Sequence, residues 1–371
     1  PDAPGLVSEL LVGEGDIEST QPARRLLAIA TRLRSIPEAQ AALAGEPAAF
    51  FTALRREPAL GPVHLALEDW LTRYGDRAMN ELKLEAPSLR DRPAFVVTML
   101  RNYMAMPPFD AEAVTAAERA GRARAESRLK AALAGYPLRA WQFGVVLGWT
   151  RMHLRHRENM RFARTRLTGV VRRLFTAVGR DLAARGVFAQ ADDVYYLTVD
   201  ELTAYVDGRS VTCDLAALAA LRRAEFAGYR ETEPPERFVT VGLPHRHAIA
   251  PAAAVDGPPD GALVGTPCCA GVVEGPTRLI RDPDSDMTLR GEILVAPRTD
   301  PGWVALFPAA TGLLVERGSV LSHSAIVARE LGLPTIVGIP GLCRRLDQGQ
   351  RVRMDGATGR IEVLEGGAHG A

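Results

Sequence analysis

Lysine is almost absent from this 371-residue sequence, Lys83 and Lys130 being the only two among 45 basic residues. A GxxxxGK[ST] phosphate loop needs its lysine, and neither Lys83 nor Lys130 has such surroundings. No other glycine-rich nucleotide loop leads into a helix, so the chain shows no evident ATP site of its own. Arginine takes the place of lysine on solvated faces, where the two serve similarly. An excess of either charge is also missing. The 45 basic and 44 acidic residues leave a net charge of +1, which asks for neither nucleic acid nor an acidic membrane surface as partner. Cysteine is scarce. Cys213, Cys268, Cys269 and Cys343 give no CxxC or Cys/His metal spacing, so no metal site is expected from them. Adjacent Cys268 and Cys269 make a poor structural disulfide, and all four are expected as reduced thiols of a cytoplasmic protein. No apolar run approaches a membrane span, and the first residues form no signal peptide. Because Pro1 is not a native start, a fragment or a processed form is expected.

What is present falls into two patterns. Residues 1–243 read as a mainly helical domain, expected to be partial and to bind the substrate. Apolar positions recur at helical spacing from Pro22 to Arg34, from Leu65 to Tyr74 and from Phe95 to Met104. Ser19 and Thr20, with Pro22 after them, are helix-entry signals. From Arg139 to Arg185 no proline interrupts, and Gly186 offers a stop, which predicts one long helix or a bent pair. Trp141 and Trp149 on it are expected in the core, since buried aromatics usually just pack. Asp193–Thr198 reads as a short strand or extended turn.

Residues 244–260, rich in Pro, Ala and Gly, read as a semi-rigid linker. Residues 261–366 then read as a small α/β domain. Short β-rich runs at Gly271–Ile280, Glu292–Arg298, Gly312–Glu316 and Pro334–Gly338 are bounded by glycine or proline. Arg351–Met354 and Arg360–Leu364 flank a hairpin signal at Asp355–Gly359. A single helix, His323 to Leu331, stops at Gly332 with Pro334 beyond.

The chemistry centres on that helix. Ser322 is placed to cap it, which makes His323 its first residue, partly exposed and close to the positive end of the helix dipole. Neutral imidazole is a good nucleophile near pH 7. A phosphoryl group carried there would meet free backbone N–H groups. A lone histidine would otherwise be a helix-start residue with a local hydrogen bond, but its surroundings are specific. The run from Gly318 to Gly338 follows GxxxSHxAIxARExGxPxxxG. This resembles the swivelling phosphohistidine domain of enzymes related to phosphoenolpyruvate synthase and pyruvate phosphate dikinase. Gly271–Gly275, Thr299–Trp303 with Leu306 and Phe307, and Asp355, Gly356 and Gly359 resemble other parts of the same domain. Two positions depart from the family's pattern: Ser319 replaces the second of paired glycines, and Cys269-Ala270 replaces a small residue followed by proline.

The sequence runs only a few residues past Leu364, so the pyruvate-binding barrel of true phosphoenolpyruvate synthases is expected to be absent. The order of parts is instead similar to the rifampicin phosphotransferase family, which runs ATP-grasp domain, helical substrate domain, histidine domain. Tyr74-Gly75-Asp76-Arg77 with Glu81-Leu82, Arg157-Glu158 with Arg161, and Asp193–Thr198 with Glu201-Leu202 carry this looser likeness. Gly13 with Glu18-Ser19-Thr20 is a weaker echo.

The resemblance implies His323 as phosphoryl carrier and Arg157 and Arg161, one helical turn apart, as cations facing the transferring phosphate. Ser322, Thr299, Asp300, Arg329 and Glu158 are candidates for supporting the phosphate and the active site. Tyr74, Arg77 and Glu81 are candidates in the substrate domain, and no residue is assigned to a metal. Arg161 stands where the family often has lysine, and arginine stays protonated, which puts a base role in doubt. Taken alone, Arg157 and Arg161 also fit a solvated face, and Tyr74, Asp76, Arg77 and Glu81 fit a structural polar network.

The implied cofactors are ATP and Mg2+, bound by an ATP-grasp domain in cis or trans, with a small-molecule acceptor as the remaining partner. ATP would be split to AMP, inorganic phosphate and phospho-His323, and the domain would swing to the helical part. Two other outcomes stay open: a condensing or ligating enzyme using the same phosphohistidine, and a non-catalytic phosphocarrier that docks proteins. The last predicts a helical core closed by Trp141, Phe143 and Trp149.

Overall fold

A computed structural model describes residues 3–11, 18–107, 111–229, 263–282 and 285–364. The expected linker, 244–260, and Gly13 lie outside these residues. Compactness divides the chain into two units, residues 1–168 with 260–371, and residues 169–259. The division cuts the expected 1–243 domain inside a helix, because its first part shares a hydrophobic core with the α/β domain.

In the first unit, α1 (Ala3–Leu10), α2 (Gln21–Leu33), α3 (Pro37–Ala44), α4 (Pro47–Arg56), α5 (Gly61–Tyr74), α6 (Pro93–Ala105) and α7 (Ala111–Ala132) precede α8 (Pro137–Ala184). Prolines open α2 through α6, where a missing N–H costs nothing and the fixed φ suits the first turn. α5 shows the expected period: Val63, Leu67, Trp70 and Tyr74 are buried along one face while Leu65 points out. Thr20 does not cap α2 with its side chain. Its backbone is already helical, in a 3₁₀ turn over Glu18–Thr20 that buries Ser19 and Thr20.

The α/β part contributes β1 (Leu263–Val264), β2 (Thr266–Cys269), β3 (Val272–Leu279), β4 (Ile293–Ala296), β5 (Gly312–Val315), β6 (Thr335–Val337), β7 (Arg351–Asp355) and β8 (Arg360–Val363). They form one sheet in the order β1-β8-β7-β3-β4-β5-β6-β2, with β3 to β6 parallel and the flanking pairs antiparallel. β4 and β5 are buried on both faces, and alternation divides their side chains between two cores. Ile293, Val295 and Leu314 pack with Leu342 and Met354, whereas Leu294, Ala296, Leu313 and Val315 pack with Trp303, Phe307 and residues of α2 and α6. β1 and β2 were not anticipated. β2 contains Pro267, which reads as a strand breaker but is tolerated on a sheet edge where no partner needs its N–H. α11 (His323–Glu330) lies between β5 and β6, and α12 (Leu342–Arg345) follows β6.

Polar contacts fasten the sheet domain to the helices. Arg77 Nη1 donates to Pro301 O at 2.9 Å, and Trp303 Nε1 donates to Met79 O at 3.3 Å. Asn102 bonds twice, its Nδ2 to Met287 O and its Oδ1 to Leu289 N, and Tyr103 Oη donates to Ala305 O. Gly302 lies so close that a Cβ there would stand 2.4 Å from Ala78 O. The histidine domain is therefore seen seated on the helices.

Trp141 and Trp149 are 66% and 62% exposed, against the expectation of a core position. With Leu138, Val146 and half-open Phe143 they form part of an apolar stretch of α8 that meets no covering element among the described residues.

The second unit holds the end of α8, α9 (Val199–Val206) and α10 (Leu215–Gly228) around Leu182, Phe188, Val194, Leu202 and Leu215. Gly186, at φ 74°, ends α8 as expected. Asp193–Thr198 is no strand: residues 191–196 form a 3₁₀ turn because Asp193 Oδ2 accepts from the Ala189 and Gln190 N–H groups. Asp193 also pairs with Arg223. Thr198 caps α9 in a capping box with Glu201, whose carboxylate is gripped by both Nη atoms of Arg222. This motif is therefore structural, locking the turn onto α9 and α10.

Candidate active site

The loop after β5 delivers His323 as expected. Ser322 is extended, at ψ 153°, and its Oγ accepts from Ala325 N at 3.4 Å, so α11 begins at His323. Arg329 holds the loop from behind: Nε donates to Ala325 O and Nη2 to Val320 O. These bonds tie it to the backbone, near Cys268 and Cys269, and none reaches the His323 ring.

His323 is only 4% exposed, not partly open, because α8 covers it. Its Nδ1 lies 2.5 Å from Glu158 Oε2, and Glu158 is fully buried. An ionised carboxylate only accepts, so Nδ1–H is the donor and Nε2 carries the lone pair. Nε2 is buried with no partner.

Burial pushes the imidazole below its ordinary value, against the Glu158 bond that raises it, and the charges of Arg161 and Arg77 push it further down. Burial would raise the Glu158 carboxyl, but the His323 bond and the charges of Arg157 and Arg161 outweigh it and leave it below the usual range. The pair is thus neutral imidazole against carboxylate, with the nucleophilic nitrogen facing away from Glu158.

Three α8 residues share the face turned toward this pair. Glu158, Arg161 and Thr165 sit three and four residues apart, and Phe162 packs between Tyr74 and Arg77. Arg157 is half exposed and donates from Nη1 to Leu321 O at 2.7 Å, clasping the loop that carries His323. Arg161 differs: its Nε is buried without a partner, and its charge acts on Glu158, His323, Glu81 and Asp300 together. Arg77 is buried, lies 4.9 Å over the Phe162 ring, and also leaves its Nε unpartnered. Glu81 Oε2 accepts from Thr165 Oγ1 at 2.9 Å while its Oε1 is buried without a partner. Asp300 acts electrostatically on Glu81, and Thr299 Oγ1 is another buried orphan. Burial raises the carboxyl pKa of both Glu81 and Asp300. Tyr74 belongs to the core, its ring against Trp70 and Phe162.

Buried polar atoms normally find partners. Orphans of both signs gathered about Arg161 describe a place prepared for a group that both accepts and donates hydrogen bonds. Thr165 was not singled out from the sequence, although its spacing from Glu158 and Arg161 marks the same helix face. Among the described residues no three His, Cys, Asp or Glu side chains gather as a metal would require, and no helix is long and apolar enough to cross a membrane.

Two parts of the chain match known families. Residues 288–359 match the PEP-utilising enzyme mobile domain, and residues 1–158 match the rifampicin phosphotransferase fourth domain. Across residues 288–359 the chain is thus similar to the mobile domain of PEP-utilising enzymes. It is also similar to rifampicin phosphotransferase of Streptomyces sviceus, 33% identical over 91% of this chain and 39% of the relative. The rifampicin phosphotransferase of Bacillus subtilis is 28% identical over 81% of this chain and 34% of the relative. An uncharacterized protein of Mycobacterium tuberculosis is 34% identical over 81% and 32% respectively. The chain thus spans about two fifths of the length of the first relative.

Proposed function

We propose that this chain is the acceptor-side and carrier portion of an ATP-dependent phosphotransferase, with His323 taking a phosphoryl group on Nε2 and passing it to a small molecule. The observation that carries this reading is the buried Glu158–His323 pair, which leaves an unpartnered Nε2 beside Arg161. ATP and Mg2+ belong to the charging half-reaction, carried out by an ATP-grasp domain in cis or trans. In that step ATP gives AMP, inorganic phosphate and phospho-His323.

After the histidine domain returns to the helices, Glu158 balances the positive charge of the N-phosphorylated ring. Arg161 and Arg77 neutralise the equatorial oxygens of a loose transition state. Burial of the ring keeps water from the labile P–N bond. Leaving for the ATP side requires breaking the His323–Glu158, Arg77–Pro301 and Trp303–Met79 contacts. Exposure of Trp141 and Trp149, where a pure docking module was expected to close its core, supports a role in binding a small molecule.

Rifampicin, named by the relatives, is the first acceptor to test. With ATP and a matching ATP-grasp half, the expected product is rifampicin carrying one added phosphoryl group, resolved by mass spectrometry. A condensed product with free phosphate would replace the kinase reading with the ligating one.

A further inference from the structure

Phosphoryl transfer to a hydroxyl leaves one proton to be removed, and the cations at this site do not take it. Arg161 and Arg77 remain protonated. Glu158 holds Nδ1 of His323 through Oε2, and its Oε1, also without a hydrogen bond, faces Arg157 at 3.7 Å and is kept ionised as the ring's counter-charge. We propose that Glu81 is the general base of the transfer to a hydroxyl acceptor. This inference rests on the phosphotransfer reading above.

Placement is the first argument. Glu158 and Thr165 lie seven residues apart on one face of α8, about 10 Å along its axis. His323 is bound at one end of that span and Glu81 at the other, with Arg161 between them. In-line transfer needs, in order, the imidazole ring, a phosphorus atom, the acceptor oxygen and the atom that takes its proton. With ordinary bond and hydrogen-bond lengths this row comes to about 11–12 Å from the Glu158 carboxylate, comparable to that span.

The second argument is the state of the carboxylate. Thr165 fixes Oε2, and Oε1 is left buried without a partner. Leu82, the next residue, has φ 69°, in the left-handed region that bulky residues avoid, and a strained residue beside a buried carboxylate is characteristic of functional sites. The bridge between Ala78 and Ser88 closes this loop, and the Trp303–Met79 bond seats it on the docked histidine domain.

Asp300 is the rival base. It lies on the histidine domain and leaves with it, whereas Glu81 stays with the bound acceptor.

The step balances as follows. The acceptor oxygen bonds to phosphorus as the P–Nε2 bond breaks, and that electron pair returns to Nε2. Nδ1 keeps its proton toward Glu158, and the hydroxyl proton passes to Glu81 Oε1. The products are a phosphate monoester, neutral His323 and protonated Glu81, which releases its proton to water.

The groups facing Glu81 are Arg77 on its own loop, Arg161 and Thr165 on α8, and Asp300 from the histidine domain, with Lys83 acting on Asp300. Burial raises the Glu81 carboxyl, so its basic form is lost as pH falls.

The test charges the chain on His323 with potassium phosphoramidate and follows loss of acid-labile phosphate to water and to methanol across pH, normalised to the charged fraction. Wild type is expected to discharge faster as pH rises, up to a plateau. Glu81→Gln is expected to be about 10²-fold slower at that plateau, without the acid limb, and Glu81→Asp to recover part of the rate. Thr165→Val, which removes the bond favouring the ionised carboxylate, is expected to move the limb to higher pH. Glu81→Gln discharging at wild-type speed, or loss of the limb in Asp300→Asn instead, would overturn the assignment. No phosphohistidine in wild type and Glu81→Gln alike would overturn the phosphotransfer reading and this inference with it.

Discussion

His323→Ala is expected to lower phosphoryl transfer by at least about 10⁴-fold, because no other group at the site forms the covalent intermediate. The same change leaves Glu158 buried and without its partner, which costs on the order of 1–3 kcal/mol of stability. His323→Asn separates the two effects, since its amide can still donate near the position of Nδ1. Both variants are expected to be inactive, with a lowered Tm for the alanine form and a Tm near wild type for the asparagine form.

The charge states add a pH signature. The folded pKa of His323 lies below its ordinary value of about 6.5, so the unfolded chain binds the proton more readily. The neutral burial of His323 is fully favourable above that value and becomes costly as pH falls below it. Wild type is expected to lose stability from about pH 6.5 downward, and His323→Asn to lack this part of the loss. Thermal melts between pH 5 and 8 measure it. Equal slopes for the two proteins would mean that His323 is not held neutral.

Glu158→Gln is expected to give the second largest loss, about 10²- to 10⁴-fold in turnover, with the fold preserved. Glutamine keeps the volume and can still accept from Nδ1–H, but it lacks the negative charge that balances an N-phosphorylated ring. The loss should therefore appear in discharge from the docked domain, where His323 meets Glu158, and not in charging by the ATP-grasp half, measured by quench and acid-labile counting. Because Glu158 is held below the usual carboxylate range, its own protonation should not contribute to the acid limb of the transfer, which is set by Glu81. A Glu158→Gln protein that discharges normally would reduce the 2.5 Å contact to packing.

The histidine and its helix were legible because their determinants are local. Ser322 caps, Gly332 at φ 65° terminates, and small residues surround the nucleophile within one short stretch. The strands β3 to β8 were legible for the same reason, each bounded by glycine or proline. What escaped depends on distant partners. Glu158 and His323 are 165 residues apart, and Thr165 and Glu81 are 84 apart, so no periodicity announces either pair. The near-complete burial of His323 is likewise a property of docking, invisible from a helix start that is exposed by itself. Trp141 and Trp149 were misplaced because composition says that aromatics pack but not whether a neighbour is there to receive them. Asp193–Thr198 looked extended from its Val-Tyr-Tyr run, yet the Asp193 carboxylate binding two backbone N–H groups bends it into a 3₁₀ turn.

One measurement bears on all of this. The chain would be charged from ATP labelled in the β-phosphate with a matching ATP-grasp half, and the phosphorylated nitrogen identified by phosphorus–nitrogen NMR on 15N-histidine protein. Because only a phosphoryl group on Nε2 is compatible with the Nδ1–Glu158 bond of the docked domain, it is expected on Nε2 of His323 alone, and absent from His323→Asn. Phosphate on Nδ1, on another residue, or persisting in that variant would contradict it.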